Sequence, residues 1–197
     1  MTVKSNADHS DIVFNGVDAQ ASTVERSVFD GCSFVDCNFS RVRLAECRFR
    51  DCEFRNSNFS SVAWDDSRVL RISFLDCKVT GVNWTTLDWS ALRLGFPISF
   101  ASCDISFSVF NSLALKGLTL RDCKAHAVDF SDCDLEGAEL CRTDFKGARF
   151  SACRLNSCDF RGATDYFIDP LESSINNARF STPEVLGLLR SFSIEIE

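Results

Sequence analysis

Residues 29–59 read FDGCSFVDCNFSRVRLAECRFRDCEFRNSNF, and this stretch decides the fold. A large apolar side chain returns at every fifth position, at Phe29, Phe34, Phe39, Leu44, Phe49, Phe54 and Phe59. Two residues before most of them lies a small side chain, as at Cys32, Cys37 and Cys47. A period of five fits neither the 3.6-residue turn of an α-helix nor the alternation of a strand. The stretch therefore predicts a solenoid of short repeats.

The same period covers most of the chain. It runs without a gap from Val24 to Leu94, slips by one residue within residues 95–98, and runs again from Phe100 to Phe160. Trp84 and Trp89 fall on the large positions. The phenylalanines that we expect in the core are Phe29, Phe34, Phe39, Phe49, Phe54, Phe59, Phe74, Phe110, Phe130, Phe145, Phe150 and Phe160.

A square coil explains this pattern. If each pentapeptide forms one side, its large and small residues point inward, and four pentapeptides close one turn. Successive coils would stack at about 4.8 Å with their backbone groups paired. We therefore predict an all-β, right-handed quadrilateral β-helix of roughly seven coils over residues 12–164. A flexible N-terminus (1–11) precedes it, and a cap helix with a dimerisation strand (165–197) follows.

The eleven cysteines fit the same scheme. All but Cys141 occupy the small inward position, where a thiol behaves as a small apolar group. Stacked pairs such as Cys32 and Cys52 would lie within disulfide reach. Because the chain contains no CxxC pair and starts without an export signal, we expect reduced thiols in a cytoplasmic protein.

Composition limits the classes of function. The net charge of −7 argues against nucleic acid or an anionic membrane as a direct ligand. The two histidines, His9 and His126, join no metal-ligand cluster, and we expect His9 to lie in the flexible start. The sequence shows no phosphate-binding loop and no catalytic set, and a filled core leaves no deep pocket. We expect neither a cofactor nor enzymatic activity.

The repeated motif over residues 14–160 resembles the pentapeptide repeat family. The segment Gly81-Val82-Asn83-Trp84-Thr85, the slip at 95–98 and the end from Ala178 to Leu186 are similar to the albicidin-resistance and Qnr-type quinolone-resistance proteins. That resemblance implies a homodimer that mimics duplex DNA, binds DNA gyrase and topoisomerase IV, and protects them from inhibitors. Qnr proteins of Gram-negative bacteria also need projecting loops, whereas this repeat admits only a one-residue slip.

The C-terminal residues favour a cap and a dimer contact. Thr182 and Pro183 are typical of a helix start, and an apolar stripe follows at Val185, Leu186, Leu188 and Leu189. Apolar and polar residues then alternate to the end of the chain, and a lone strand needs a partner. The expected dimerisation residues are Leu186, Leu189, Phe192, Ile194 and Ile196.

Acidic residues are concentrated between residues 129 and 139, without a base among them. We expect a partner-binding acidic patch, which would meet the basic DNA-binding surface of a topoisomerase. Its members are Asp129, Asp132, Asp134, Glu136 and Glu139, extended by Asp144 and Asp159. The alternative is that these acids only keep the surface soluble, since Lys124, Arg142, Lys146, Arg149 and Arg154 interrupt them.

Two functions therefore remain open. The first is a DNA-mimicking rod that protects topoisomerases, and the second is a scaffold that uses its flat sides to recruit an unrelated protein.

Overall fold

The computed structural model describes residues 3–89, 98–192 and 194. The described elements are short strands and 3₁₀ helices. The strands are β1 (Asp8–Ser10), β2 (Val13–Asn15), β3 (Thr23–Glu25), β4 (Val28–Asp30), β5 (Ser33–Val35), β6 (Arg43–Ala45), β7 (Arg48–Arg50), β8 (Glu53–Arg55), β9 (Arg68–Leu70), β10 (Ile72–Leu75), β11 (Ile98–Ala101) and β12 (Thr119–Arg121). The helices are η1 (Trp84–Thr86) and η2 (Glu184–Phe192).

All strand pairs are parallel and join one coil to the next. Face A contains β1-β4-β7-β9, face B contains β2-β5-β8-β10-β11-β12, and face D contains β3-β6. Face C is held by single bridges that run from Asp18 to Thr164. The predicted four-sided β-helix is therefore confirmed. Face B is the longest, because eight successive pairings carry it from Phe14 to Arg179.

One coil is longer than the others. Partners on neighbouring coils are normally four pentapeptides apart, as Phe54 and Phe74 are, but Phe74 pairs with Phe100. This longer spacing includes one extra pentapeptide besides the predicted slip of one residue. The expectation of a mere one-residue slip is therefore wrong, because a period of five conceals an insertion of six. Residues 90–97, which include Leu94 and most of the slip, lie outside the described part of the chain.

The core consists of stacked columns of large side chains. On face B, the rings of Phe34, Phe54 and Phe74 stack at centroid distances of 5.0 and 4.7 Å. On face D, Trp84 lies between Trp64 and Phe110 at 5.8 and 5.6 Å. Every phenylalanine predicted for the core is at most 4% exposed. Trp89 is only partly buried, and its indole donates a hydrogen bond to the Trp84 carbonyl.

The small inward position carries a hydrogen-bonding function besides packing. The Ser57 hydroxyl accepts a bond from the Cys37 amide of the preceding coil at 2.9 Å and donates one to the Arg55 carbonyl. Cys77 and Cys103 continue this column with thiols. All eleven cysteines are free and all but Cys141 are buried, as the repeat predicts.

Each corner of the coil favours a left-handed residue. From His9 to Phe160, φ lies between 46° and 71° two positions after the large residue in every described repeat except the one that contains η1. Aspartate, asparagine, serine and glycine fill most of these corners, as expected from their tolerance of this region. Gly162 shows why some corners need glycine, because an added Cβ would lie 2.9 Å from Arg142 Cγ.

The solenoid extends beyond both predicted ends. Strand β1 already pairs with β4, and His9 fills the large inward position and stacks on Phe29 at 5.0 Å. Residues 8–10 therefore belong to the solenoid, so the prediction of a flexible start is wrong for them and for His9. At the other end, Asp159 pairs with Arg179, and Phe180 stacks on Phe160 at 5.2 Å. The coils thus continue past residue 164, after an excursion at residues 165–172.

Candidate protein-binding surfaces

The seven acids of the predicted patch lie on different sides of the rod. Asp129 is on face D, Asp134 and Glu136 are on face A, Glu139 and Asp159 are on face B, and Asp144 is on face C. Asp132 lies at the corner that joins faces D and A, with a φ of 61°. Residues adjacent in sequence follow the circumference, whereas surface neighbours on one face are four pentapeptides apart. The predicted acidic patch therefore wraps around the rod instead of covering one face.

Most of these acids also have basic partners. Lys116 lies 2.6 Å from Glu136, and Arg154 approaches both Glu136 at 3.1 Å and Asp134 at 3.4 Å. The other pairs are Asp129 with Arg149, Glu139 with Arg121, Asp144 with His126 and Asp159 with Arg161. Among the described side chains of the patch, Asp132 alone forms no ion pair. The faces therefore carry ladders of alternating charge.

The ladders alter the acidity of their members. The Arg161 guanidinium, hydrogen-bonded to Asp159, holds the pKa of that carboxyl at about 2. The hydrogen bond from Lys116 lowers the pKa of Glu136. These carboxylates remain charged at neutral pH, but their neighbours cancel much of the field that they present to a partner.

The C-terminal end also carries acids without basic partners. Residues 165–197 contain six acidic side chains and two arginines. Four of these acids fall in the described part of the segment, and there Asp165, Asp169, Glu172 and Glu184 form no ion pair. This end of the rod therefore carries a net negative charge.

The predicted dimerisation residues surround an open cleft beside η2. Leu188 is buried and Val185 partly buried against the last coil, whereas Leu186, Phe192 and Ile194 are about half exposed. Leu186, Leu189 and Ile194 line the cleft, whose volume is about 470 Å³, together with Tyr166 and Phe167. Ile196 lies outside the described residues. The helix thus divides its apolar side chains between the coil and solvent.

Tyr166 is an unusual member of this cleft. Only 7% of its surface is exposed, and its hydroxyl has no hydrogen-bond partner among the described residues. Burial, reinforced by the Glu184 carboxylate, raises the pKa of Tyr166 to about 12. The hydroxyl therefore stays protonated and available as a donor.

Phe107 is a surface residue that the sequence analysis missed. It lies at a corner with a φ of 62°, and 67% of its surface is exposed. Among the described left-handed residues it is the only aromatic one. The signal was present in the sequence, because Phe107 is a large apolar residue off the five-residue register.

The described residues offer little to catalysis. No group of three or more His, Cys, Asp or Glu in them is arranged to hold a metal ion. Burial raises the pKa of Cys52, Cys133 and Cys158 to about 12, which keeps these thiols protonated. No helix in the described ranges is long and apolar enough to cross a bilayer. What the described surface does offer is flat faces, open clefts and exposed apolar side chains.

These features define a four-sided β-solenoid with flat faces on the scale of a protein–protein contact. The described residues contain no set of side chains arranged for catalysis. Residues 22–95 match the family described as pentapeptide repeat region, and residues 126–164 match pentapeptide repeats in eight copies. The chain belongs to the pentapeptide repeat family. No curated protein matches it significantly by sequence.

Solved structures share the fold at low sequence identity. A trypsin-treated variant of QnrB1, a plasmid-mediated fluoroquinolone resistance protein, aligns with a TM-score of 0.70 at 14% identity over 96% of this chain and 99% of that one. Full-length QnrB1 aligns with a TM-score of 0.55 at 16% identity, over 95% of this chain and 100% of that one. The likeness therefore extends along the whole rod.

Proposed function

We propose that the protein is a non-enzymatic, cytoplasmic rod that binds DNA gyrase or topoisomerase IV and protects it from quinolone- or albicidin-like inhibitors. The observation that carries this proposal is the end-to-end fold match with a fluoroquinolone resistance protein. The proposed action is binding, since the described surface offers faces and a shallow cleft rather than a reaction site.

Dimerisation through the C-terminal segment belongs to the same proposal. Leu186, Phe192 and Ile194 expose apolar surface beside the cleft, and a second copy would bury it. Two rods joined at this end would bring two negatively charged ends together. Such a dimer would place its unpaired carboxylates at the centre of a long particle.

The DNA-mimicking contacts would be made by acids without basic partners. A carboxylate that faces a neighbouring arginine attracts a basic protein weakly, whereas an unpaired one contributes fully to the encounter. Asp132 and the C-terminal acids satisfy this condition, unlike Asp134 and Glu136. We therefore expect Asp132 and the C-terminal acids to contribute more to topoisomerase binding than the paired acids of the predicted patch.

A cleavage-complex assay tests the proposal. Purified protein is titrated into gyrase and supercoiled DNA with a fluoroquinolone, and linear DNA is quantified. We expect drug-induced cleavage to fall at protein concentrations comparable to the gyrase concentration. The Asp132→Lys variant should protect several-fold less well. Asp76→Lys is the matched control, because Asp76 also lies at a left-handed corner without an ion pair in the described part.

The scaffold function is favoured by a different observation, namely the charge balance of the four faces. Ladders such as Lys116–Glu136–Arg154 leave the faces nearly neutral, which suits docking of an ordinary protein. If a tenfold excess of protein over gyrase changes neither supercoiling nor cleavage, the topoisomerase proposal fails and the scaffold function replaces it.

A further inference from the structure

The burial of side chains along η2 follows a period of three residues. Val185 is partly buried and Leu188 buried against the last coil, and the Ser191 hydroxyl is buried as well. Leu186 and Phe192, which follow Val185 and Ser191 in the chain, are about half exposed. A 3₁₀ helix has three residues per turn, so every third residue lies on one side. The winding of η2 therefore decides which of its side chains face solvent.

The sequence of η2 has the period of a different helix. Most of its apolar residues lie at positions i, i+3, i+4 and i+7, which share one side of an α-helix; they are Val185, Leu188, Leu189 and Phe192. At about 100° per residue, Phe192 would lie within about 20° of Val185, and Ser191 about 120° away from it. In the 3₁₀ form Ser191 is in line with Val185, and Phe192 is about 120° away. The sequence and the structure thus differ over which residue packs against the coil.

The 3₁₀ winding is unfavourable in three respects. Runs of 3₁₀ helix longer than about four residues are uncommon because their hydrogen-bond geometry is poorer, and η2 contains nine residues. The Ser191 hydroxyl has no hydrogen-bond partner among the described residues, which is costly for a buried polar group. Phe192 keeps 45% of its surface exposed. An α-helical winding would remove these costs, because it turns Ser191 to solvent and Phe192 onto the coil.

The start of η2 already contains both kinds of turn. The Val185 amide donates to the Ser181 carbonyl, four residues back, at 3.1 Å. The Leu186 amide donates to the Pro183 carbonyl, three residues back, at 3.0 Å. Bonds to the fourth residue back are those of an α-helix, and bonds to the third are those of a 3₁₀ helix. The two windings are therefore close alternatives at the first turn.

We propose that η2 is a two-state element whose winding regulates dimerisation. In the 3₁₀ state Leu186, Leu189 and Phe192 form one stripe on the exposed side, where a second copy of the chain packs. In the α-helical state Leu189 and Phe192 turn onto their own coil, and Leu186 alone of this stripe stays exposed. Binding of the second copy selects the 3₁₀ state and offsets its cost. This inference rests on the proposed function, because the dimer is part of that proposal.

Nuclear Overhauser contacts distinguish the two windings in solution. A contact from the Hα of one residue to the amide of the second residue along marks a 3₁₀ helix, and a contact to the fourth residue along marks an α-helix. We expect 3₁₀ contacts within η2 in the wild-type dimer. In monomeric Leu186→Asp we expect α-helical contacts, such as that from Leu188 to Phe192. Residue 186 points in the same direction within about 20° in both windings, so this substitution does not itself select one.

Substitution of Ser191 tests the regulation, because this side chain faces the coil and not the second copy. Ser191→Ala removes the unpartnered hydroxyl from the 3₁₀ state and should tighten the dimer several-fold in analytical ultracentrifugation. Ser191→Lys should weaken the dimer about tenfold, because an unpaired charge resists burial and the α-helical state places it in water. Leu171→Lys is the matched control, since it adds the same charge at an exposed position of the same end, outside η2, and should not weaken the dimer.

The outcomes separate this inference from the dimer on which it rests. If the wild-type protein dimerises and both Ser191 variants dimerise within about twofold as tightly, the two-state element is refuted alone. Contacts of the 3₁₀ type within η2 of monomeric Leu186→Asp or of Ser191→Lys would also refute it. If the wild-type protein is monomeric at every concentration, the proposed dimer and its regulation are refuted together.

Discussion

At the scale of the residue, the thiols are explained by their position in the coil. The Cys37 thiol donates to the Val35 carbonyl at 3.2 Å, and Ser57 forms the equivalent bond with the Arg55 carbonyl one coil later. A thiol and a hydroxyl are therefore interchangeable at this position. The thiol adds apolar volume, which suits the dry interior between two phenylalanine columns.

This placement predicts the reactivity of the thiols. In the native protein a water-soluble disulfide reagent should modify one thiol, Cys141, because the other ten are buried. Burial also raises the pKa of the Cys141 thiol, so the reaction should be slow at pH 7.5. In 6 M guanidinium chloride all eleven should react, which serves as the control. Rapid native modification of several thiols would contradict the packed core.

The same thiols predict a loss of stability in alkali. Burial raises the pKa of Cys52, Cys133 and Cys158 to about 12, above the value of about 8.5 in an unfolded chain. The unfolded state therefore loses protons first, and stability falls as pH rises from about 8.5 towards 12. Urea midpoints measured at pH 7, 9 and 10.5 should decrease progressively. A Cys158→Ala variant should show a shallower decrease, and a constant midpoint would disprove the linkage.

At the scale of the element, the aromatic columns replace long strands as the source of cohesion. Most strands contain three residues, too few for stability alone, but each layer buries large rings against the next. Phe54 is fully buried between two stacked rings, whereas Phe180 is only partly buried at the end of the same column. Substitution of a ring at the centre of a column should therefore destabilise the protein more than substitution of the ring at its end.

Substitution along face B measures this difference. We expect Phe54→Ala to lower the free energy of unfolding by about 3–5 kcal/mol, because it leaves a cavity between Phe34 and Phe74. Phe180→Ala should cost clearly less, and Phe107→Ala, which removes an exposed ring, should change stability little. Chemical denaturation monitored by circular dichroism provides the values. Equal losses for Phe54→Ala and Phe180→Ala would contradict stacking as the main source of cohesion.

The elements also show how far the sequence determines the structure. The five-residue period assigns every phenylalanine of the predicted core correctly, because register is a local property of each pentapeptide. It does not reveal the long coil before Ile98, since an insertion of six and a slip of one shift the register equally. The five-residue period also misleads at the acidic stretch. Side chains that are neighbours on the surface are one whole coil apart in sequence, as Asp134 and Arg154 are. Corner strain at Phe107 and the orphaned Tyr166 hydroxyl appear only once the backbone is known.

At the scale of the whole molecule, charge and apolar exposure oppose each other at the C-terminal end. A dimer through η2 would bury Leu186, Phe192 and Ile194, but it would also bring two copies of Asp165 and Glu184 close together. Hydrophobic burial favours association and the like charges oppose it. At 0.1 M salt the Debye length is about 10 Å, so added salt weakens the repulsion between these charges. Salt affects the burial of apolar surface much less.

The proposed dimer should therefore tighten as salt is added. In analytical ultracentrifugation we expect the dissociation constant to fall several-fold between about 0.05 and 0.5 M NaCl, opposite to a dimer held by ion pairs. Leu186→Asp should yield monomers at every salt concentration, because it places a charge in the apolar contact. Leu171→Asp is the matched control, since Leu171 is exposed at the same end but lies outside η2 and the cleft. If Leu171→Asp dissociates the protein and Leu186→Asp does not, the contact lies on the 165–172 excursion rather than on η2, and the two acidic ends meet in a different orientation.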